Sequence, residues 1–309
     1  MDEDELLQVR RFNRTVTQRI GVLSDNYLGS GRPLGEARLL FEVGREGATV
    51  RDLRARLGLD SGYLSRLLRR LEAQKLTTTR RDAADARVRR VELTPRGKKE
   101  WDILDQRSRE MAASLLAGLG ASQRQRLLAA MVEAERLLRA SAVTLEAADP
   151  LSVEARACIQ AYFRELQERF DAGFDPGLSV SAEPEELVPP LGWLLVARLD
   201  GEPVGCGALK IKQGRYGEIK RMWVAPSARR LGIAQRLLDA LEARAVAAGV
   251  DVLQLDTNRH LAEARSLYLR NGYAEIPPYN NNPYAHYWFE KRLTRDISAR
   301  QSSGPPRTT

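Results

Sequence analysis

The chain has 309 residues, 43% of them hydrophobic and 29% charged, with a formal net charge of +8. This length favours two domains. No apolar run approaches the roughly 18 residues needed to cross a bilayer, which argues against a membrane-spanning protein, and the acidic residues 1–5 argue against a secretory signal. Only Cys158 and Cys206 occur, too few for a disulfide framework, so we expect a cytoplasmic location.

Positive charge is concentrated in the first half of the chain. Residues 1–147 hold 28 Lys and Arg against 21 Asp and Glu, whereas the rest of the chain is nearly neutral. Such an excess favours a polyanionic partner. An Arg-rich solvated surface gives the same count, so charge alone does not decide between the two interpretations.

Two short helices are predicted in the middle of the first half. Thr49 is a good N-cap, and Gly58 suits the left-handed conformation that ends a helix. Asp60 then caps a second helix, whose apolar stripe is Leu64, Leu67, Leu68 and Leu71. Two short helices joined by a glycine-containing turn predict a helix-turn-helix.

The outer face of the second helix carries hydroxyl and guanidinium groups, which are suited to base edges and phosphates. We predict DNA contacts from Ser61, Tyr63, Ser65, Arg66 and Arg69. Residues 76–81 and 88–93 read as two strands, and residues 75–99 contain nine basic and three acidic side chains. This hairpin predicts a positive wing, with Arg87 at its tip reaching a narrow minor groove.

The order of elements over residues 6–140 resembles the MarR family of winged-helix regulators. The stretches Gly47–Leu53 and Leu59–Arg66 look like that family's helix-turn-helix, and Asp85-Ala-Arg87 falls where its wing carries Asp-x-Arg. The resemblance implies binding of double-stranded DNA. It also implies a homodimer joined through Leu6–Leu23 and Met111–Leu138, where long amphipathic helices need a partner for their apolar stripes.

The boundary between the domains is predicted from composition. Residues 140–149 are small and polar and Asp149-Pro150 favours a break, so we expect a short linker over about residues 141–151. This gives a DNA-binding and dimerisation domain over 1–147 and a second domain over 152–295. The Ser, Pro and Gly content of residues 296–309 predicts a disordered tail.

In the second half we predict helices over residues 153–170 and 262–270 and a hairpin turn at Asp200-Gly201. The alternation of helices and strands predicts an α+β fold with a mixed, mostly antiparallel sheet. One segment between a strand and a helix has the pattern Arg229-x-x-Gly232-x-Ala234. The free amides of a helix's first turn and the helix dipole converge on an anion there, so the segment suits a diphosphate. Arg32-x-x-Gly35-x-Ala37 matches the same pattern, but no strand precedes it.

Residues 153–293 resemble the GNAT superfamily of acetyltransferases. Met222–Pro226 with Arg229–Ala234 looks like its pyrophosphate motif, and Ala264–Tyr273 looks like its later helix. The resemblance implies acetyl-CoA as cosubstrate and places Tyr268 near its sulfur. Many members carry Asn where this chain has Leu261, and Asn258 is the candidate replacement. The predicted cofactor contacts are Trp223, Val224, Arg229, Arg230, Gly232, Ile233, Ala234 and Asn258.

The family mechanism implies direct transfer to a neutral amine. Tyr268 is then the acid that protonates the departing thiolate. Glu218, on the strand that feeds the cofactor loop, is our candidate base, with His260, His286 or an ordered water as alternatives. We predict no metal site, because the chain has two His residues and no cluster of His, Cys and carboxylates.

The sequence predicts the acceptor of the acetyl group less clearly than the cofactor. Asn280, Tyr284 and His286 lie in a polar, aromatic loop that suits a small amine or amino acid. We therefore expect a bifunctional transcriptional regulator and N-acetyltransferase. Two alternatives stay open: a protein-lysine acetyltransferase dimerised by its first domain, and a transcription factor whose second domain senses acetyl-CoA without catalysis.

Overall fold

The computed structural model describes residues 2–24, 26–81 and 88–293. The chain divides into two compact units between Val132 and Glu133. The predicted wing tip, including Arg87, and the predicted tail over 296–309 lie outside the described residues. Within the described ranges, no helix is long and apolar enough to span a membrane.

The first unit is mainly helical with a small sheet. Its elements are α1 (Glu3–Arg19), α2 (Leu34–Val43), β1 (Ala48–Thr49), α3 (Val50–Leu57), α4 (Ser61–Ala73), β2 (Thr77–Arg81), β3 (Arg89–Leu93), α5 (Pro95–Ala117) and the first part of α6 (Ala121–Ser141). The strands form an antiparallel sheet in the order β1-β3-β2. The pairing of β2 with β3 confirms the predicted hairpin.

Local sequence signals set the helix-turn-helix. The Thr49 side chain accepts a hydrogen bond from the Asp52 amide at the start of α3, and Gly58 ends that helix with φ of 60°. The Asp60 side chain accepts from the Tyr63 amide and caps α4. These predicted caps are confirmed. Leu53, Leu64 and Leu71 are fully buried between the helices and the small sheet.

The second unit is an α+β domain around a mixed sheet. Its further elements are β4 (Thr144–Ala147), α7 (Val153–Arg169), β5 (Gly192–Leu199), β6 (Glu202–Ile211), β7 (Tyr216–Val224), α8 (Ile233–Ala247), β8 (Val252–Thr257), α9 (Ala262–Arg270), β9 (Ala274–Ile276) and β10 (Tyr287–Arg292). The strand order is β4-β5-β6-β7-β8-β10-β9. Within the described residues β7 and β8 are the parallel pair, and the other pairs are antiparallel.

The position of β4 differs from the predicted domain boundary. Residues 144–147, assigned from composition to the end of the first domain, pair with Leu195–Arg198 of β5. The strand has only four residues, and two of them, Glu146 and Ala147, have low strand propensity, so its conformation depends on the sheet edge that it joins. By contrast, the predicted turn at Asp200-Gly201 is confirmed: both residues have positive φ and connect β5 to β6.

Two faces of this sheet are covered by helices. Leu237, Leu238 and Leu241 of α8 are fully buried in one apolar cluster, together with Phe289 of β10. Helix α7 contributes Ala155, Cys158 and Ile159 to a second cluster, which also contains Cys206 of β6. Both cysteines are buried free thiols. Helices α7 and α8 thus pack on the sheet through two separate apolar clusters.

The central strands of the sheet separate part-way along their length. The pairing of β7 with β8 covers only Tyr216, Gly217 and Glu218 of β7. Further along β7, its register with β6 shifts between Cys206 and Ala208, and Arg221 has φ of 54°. A bulge of this kind bends a strand and re-aims its side chains. The separation leaves the rest of β7 without β8 as a paired neighbour.

Candidate functional site

Two cavities lie at the separation of β7 from β8. The larger has a volume of about 560 Å³ and is lined by α7, the end of β7, the start of α8, and α9. The smaller, of about 80 Å³, is lined by α7, β7, β8 and the segments near residues 180 and 284. Both cavities are lined by Tyr162, Leu166, Met222, Leu261, Ala264 and Tyr268. The shared lining joins the two cavities into one candidate site.

One end of the larger cavity is built for an anion. Arg230 and Gly232 both have positive φ, and Gly232 precedes the first turn of α8. Alternating conformations of this kind turn successive amides toward one point, and the helix N-terminus adds its dipole. A Cβ placed on Gly232 meets no heavy atom within 4 Å, so the space over the loop is open. The loop therefore fits a diphosphate.

The two arginines of this loop differ in their contacts. The guanidinium of Arg229 donates to the Val224 carbonyl at 3.1 Å and to both carboxylate oxygens of Glu165 at 2.5 Å. Glu165 also accepts a hydrogen bond from Trp223 Nε1 at 2.9 Å. Arg230 also lines the cavity, and its carbonyl accepts from Arg136 of α6. A carboxylate thus lies close to the arginine predicted to bind phosphate.

The other predicted cofactor residues of this segment line the same cavity, but the side chains of Ile233 and Trp223 pack on the apolar clusters. The side chain of Ile233 is 2% exposed within the apolar core. The indole of Trp223 packs on the cluster beneath α7. Val224 and Ala234 complete this part of the lining.

Tyr268 lies where both cavities meet. Its side chain is 4% exposed and contacts the rings of Tyr273 and Phe289. Burial raises the pKa of the Tyr268 hydroxyl, and the charge of Asp256 raises it further. The hydroxyl therefore keeps its proton at neutral pH and can donate it.

Tyr162 of α7 is a functional candidate that sequence reasoning missed. It lines both cavities, and burial, with Tyr268 as the next cause, raises its pKa. Tyr162, Glu165, Leu166 and Arg169 recur at helical spacing and all line the larger cavity. The periodic pattern of apolar residues predicted α7 as a helix, but it did not show which face of the helix lines the larger cavity.

The structure does not bring Glu218 into the site. This carboxylate lines neither cavity and is 2% exposed. It pairs with Lys220 at 2.9 Å and Lys212 at 3.0 Å, and it accepts from the Tyr279 hydroxyl at 2.8 Å. Burial on its own raises its pKa, but the two lysines outweigh burial and hold the pKa below its usual value. We therefore withdraw Glu218 as the candidate base.

Asn258 is also placed differently from the prediction. It lines the smaller cavity and is 5% exposed. Its Nδ2 donates to the Tyr284 carbonyl at 2.7 Å, and its Oδ1 accepts from the His260 amide at 2.9 Å. Both ends of the side chain therefore hold the turn after β8. This geometry argues against Asn258 as a cofactor contact.

The predicted acceptor residues are only partly brought together. Tyr284 lines the smaller cavity, but Asn280 and His286 do not. Asn280 donates to Asp256 and accepts from Trp288 Nε1, so it supports the loop. His260, the other histidine considered as a base, contacts Asp171 at 3.0 Å and lines neither cavity. The structure adds Arg221, Asp256 and Asn282 to this lining.

The predicted DNA-contacting face of the first unit is exposed. Ser61, Tyr63, Ser65, Arg66 and Arg69 of α4 are all exposed, whereas the leucine stripe of that helix is buried. The Arg66 guanidinium lies over the Tyr63 ring, with its central carbon 5.6 Å from the ring centroid. Arg70, beside this face, is paired with Glu36.

Comparisons with known proteins divide the chain in the same way. Residues 157–273 match the family model described as the acetyltransferase (GNAT) family. Residues 30–88 match the model described as the MarR family. The two matches fall in different units and include, respectively, the anion-binding loop and the helix-turn-helix.

Individual relatives match the second unit. An IAA acetyltransferase from Azospirillum brasilense is 46% identical over 91 residues, which cover 29% of this chain and 58% of the relative. The uncharacterized N-acetyltransferase YhfO from Bacillus subtilis (strain 168) is 33% identical over 99 residues, covering 30% of this chain and 63% of the relative. The chain thus spans about three fifths of each of these curated relatives.

Among solved structures, a GNAT-family acetyltransferase from Staphylococcus aureus Mu50 aligns with 50% of this chain and 100% of its own, at 18% identity and a TM-score of 0.43. The family-model matches carry the assignment. Residues 157–273 of this chain are similar to the GNAT acetyltransferase family, and residues 30–88 are similar to the MarR family.

Proposed function

We propose that the second unit transfers an acetyl group from acetyl-CoA to a small amine or amino acid. The observation that carries this proposal is the junction of two cavities at Tyr268, with an anion-binding loop at one end of the larger cavity. The diphosphate would be held by the loop Arg229–Ala234. Acetyl-CoA supplies an acyl group activated as a thioester.

The side chains at the junction have separable roles in this proposal. The Tyr268 hydroxyl holds a proton that it gives to the departing thiolate, because its raised pKa keeps it protonated. Asp256 is not a free base, since its oxygens accept from Asn280 and Asn282 and face Lys220 at 3.5 Å. Without Glu218 or either histidine in the cavities, water is the proposed acceptor of the amine proton.

Cofactor binding is tested by a substitution in the loop. Gly232→Glu places a carboxylate in the open space over the first turn of α8, where it repels a diphosphate. We expect the affinity for acetyl-CoA to fall at least a hundredfold in calorimetry. Gly232→Ala is the control for backbone strain at positive φ, which costs about 1–2 kcal/mol, and it should lose less. Equal affinity of Gly232→Glu and the unaltered chain would show that the diphosphate lies elsewhere.

We further propose that the first unit binds double-stranded DNA as a homodimer. Its support is the exposed polar and basic face of α4 together with the MarR-family match. Electrophoretic shift on the DNA around the protein's own gene tests it, with Arg66→Ala expected to weaken binding at least tenfold at fixed salt. Arg292→Ala on β10 removes the same charge from the second unit and should bind as well as the unaltered chain. Equal losses in both variants would contradict a role for α4.

A further inference from the structure

The smaller cavity is lined by a cation that has no ion-pair partner among the described residues, although the charge of Glu183 acts on it. Arg221 lines this cavity, and within the described residues it forms no ion pair with any carboxylate. Its Nη2 donates to the Ser181 hydroxyl at 3.2 Å and to the Ala182 carbonyl, and its Nε is buried without a hydrogen-bond partner. Burial lowers the pKa of the guanidinium. A partly buried guanidinium without an ion-pair partner is costly, so this side chain suits the binding of an anionic group.

The other charges of the cavity are already balanced. Lys220 faces Glu218 at 2.9 Å and Asp256 at 3.5 Å, and its Nζ also donates to the Val180 carbonyl. Asp256 accepts from two asparagines besides. The lining therefore carries a net positive charge that is located at Arg221.

The backbone at Arg221 directs this side chain. Its φ of 54° is unusual for a residue other than glycine, and it falls at the bulge between β6 and β7. Strained backbone of this kind persists where the surroundings impose it and is frequent at ligand-binding positions. The bulge sets Arg221 beside Met222, which also lines the larger cavity.

The remaining wall of the smaller cavity is aromatic. Phe174 contacts Phe163 with ring centroids 5.4 Å apart and Tyr284 with centroids 4.9 Å apart. Phe170 contacts both Phe174 and Tyr284 at 5.9 Å. An acceptor held here meets a cation on one part of the lining and an apolar surface on another.

We propose that the acetyl acceptor is a small apolar α-amino acid whose carboxylate binds Arg221, a specificity-determining residue. The proposal rests on the proposed acetyl transfer. The neutral amine forms a bond to the acyl carbon, the carbon–sulfur bond breaks, the amine proton passes to water, and the thiolate takes a proton from Tyr268. The products are an N-acetylamino acid and the free thiol of CoA. The aromatic wall contacts the apolar side chain.

The test compares each amino acid with its own carboxylate-free counterparts. Thiol release from acetyl-CoA is measured for alanine, valine, leucine, methionine and phenylalanine, each beside its amide and its decarboxylated amine. We expect kcat/KM for at least one acid to exceed that for its amide by tenfold or more. Arg221→Gln should lower this acid-to-amide ratio to about one, mainly by raising KM for the acid. The affinity for acetyl-CoA should stay unchanged.

Arg221→Lys is the matched control for Arg221→Gln, because it has the same backbone strain and keeps the positive charge. It lacks the planar guanidinium that can donate two parallel hydrogen bonds to a carboxylate. It should retain part of the preference for acids. If the unaltered protein uses amides or amines as well as acids, or if Arg221→Gln slows acids and amides alike, this proposal is overturned while acetyl transfer stands. If no amine of any kind releases thiol although acetyl-CoA binds, both this proposal and the proposed function fail.

Discussion

Tyr268 is the residue on which the chemistry of this site can be tested most selectively. Tyr268→Phe removes the hydroxyl but keeps the ring that packs on Tyr273 and Phe289. A general acid typically contributes about 10²–10⁴-fold. Because a CoA thiol is acidic enough to leave partly unaided, we expect kcat to fall by at least tenfold, with the acetyl-CoA affinity unchanged. Steady-state kinetics and calorimetry on both proteins check this.

Tyr273→Phe is the control for that experiment. The Tyr273 hydroxyl is also buried, but it lines neither cavity, and the group that acts on it after burial is Glu242, which raises its pKa further. It should leave kcat unchanged. The pH profile gives a second readout, since the pKa of Tyr268 is raised and its proton is retained as pH rises through 10. A Tyr268→Phe enzyme with unaltered kcat and pH profile would make Tyr268 a packing residue.

At single positions, sequence context predicted backbone roles better than side-chain roles. The pattern Arg-x-x-Gly-x-Ala occurs twice, and the strand before the second copy selected it. Gly232 indeed has φ of 73° at the start of α8, whereas Gly35 lies inside α2, and Arg32 of that copy pairs with Glu100. The surroundings of Glu218 were not predictable, because its partners Lys212 and Tyr279 are brought to it only by the fold.

Among the elements, α7 contributes four side chains to the lining of the larger cavity. Its Glu165 faces Arg229 and Trp223, and the pKa of Glu165 is lowered: burial raises it, but hydrogen bonds from Trp223, Arg229 and Arg169 outweigh burial. A charged Glu165 near the loop repels a diphosphate and competes for Arg229. We predict that Glu165→Gln, which keeps the hydrogen-bonding shape, binds acetyl-CoA several-fold more tightly in calorimetry at low salt.

Glu168→Gln on the exposed side of α7 is the matched control, because it makes the same chemical change away from the cavity. It should not alter the affinity. Weaker binding by Glu165→Gln would mean instead that Glu165 positions Arg229 for the cofactor.

The elements themselves were largely predictable, and their exceptions have a physical cause. The predicted helices over 153–170 and 262–270 match α7 and α9 within one residue, because their apolar spacing is regular. Strand β4 was missed, since four residues that include Glu and Ala are too weak a strand signal, and the segment is ordered by pairing with β5. The bulge at Arg221 was also missed, because it depends on the register between β6 and β7.

At the scale of the whole molecule, two helices have apolar surface that the single chain does not cover. Helices α1 and α6 have no buried side chains, and Phe12 is 50% and Leu128 44% exposed. Apolar area of this kind favours an interface between copies. We predict a homodimer in analytical ultracentrifugation, and Phe12→Glu together with Leu128→Glu should shift it to monomer.

Leu178→Glu is the control for added charge, because Leu178 is 64% exposed and belongs to neither helix. It should remain dimeric. A monomeric unaltered chain at micromolar concentration would contradict the dimer, and it would also weaken the proposal for DNA binding by paired α4 helices.

Thiol release from acetyl-CoA measures directly whether the second unit catalyses acetyl transfer. The panel contains amino acids, simple amines and a lysine peptide, assayed with the unaltered chain and with Gly232→Glu. We predict amine-dependent release by the unaltered chain with at least one small acceptor, and its loss in Gly232→Glu. Tight binding of acetyl-CoA without amine-dependent release from any member of the panel would contradict catalysis and leave a sensor of acetyl-CoA.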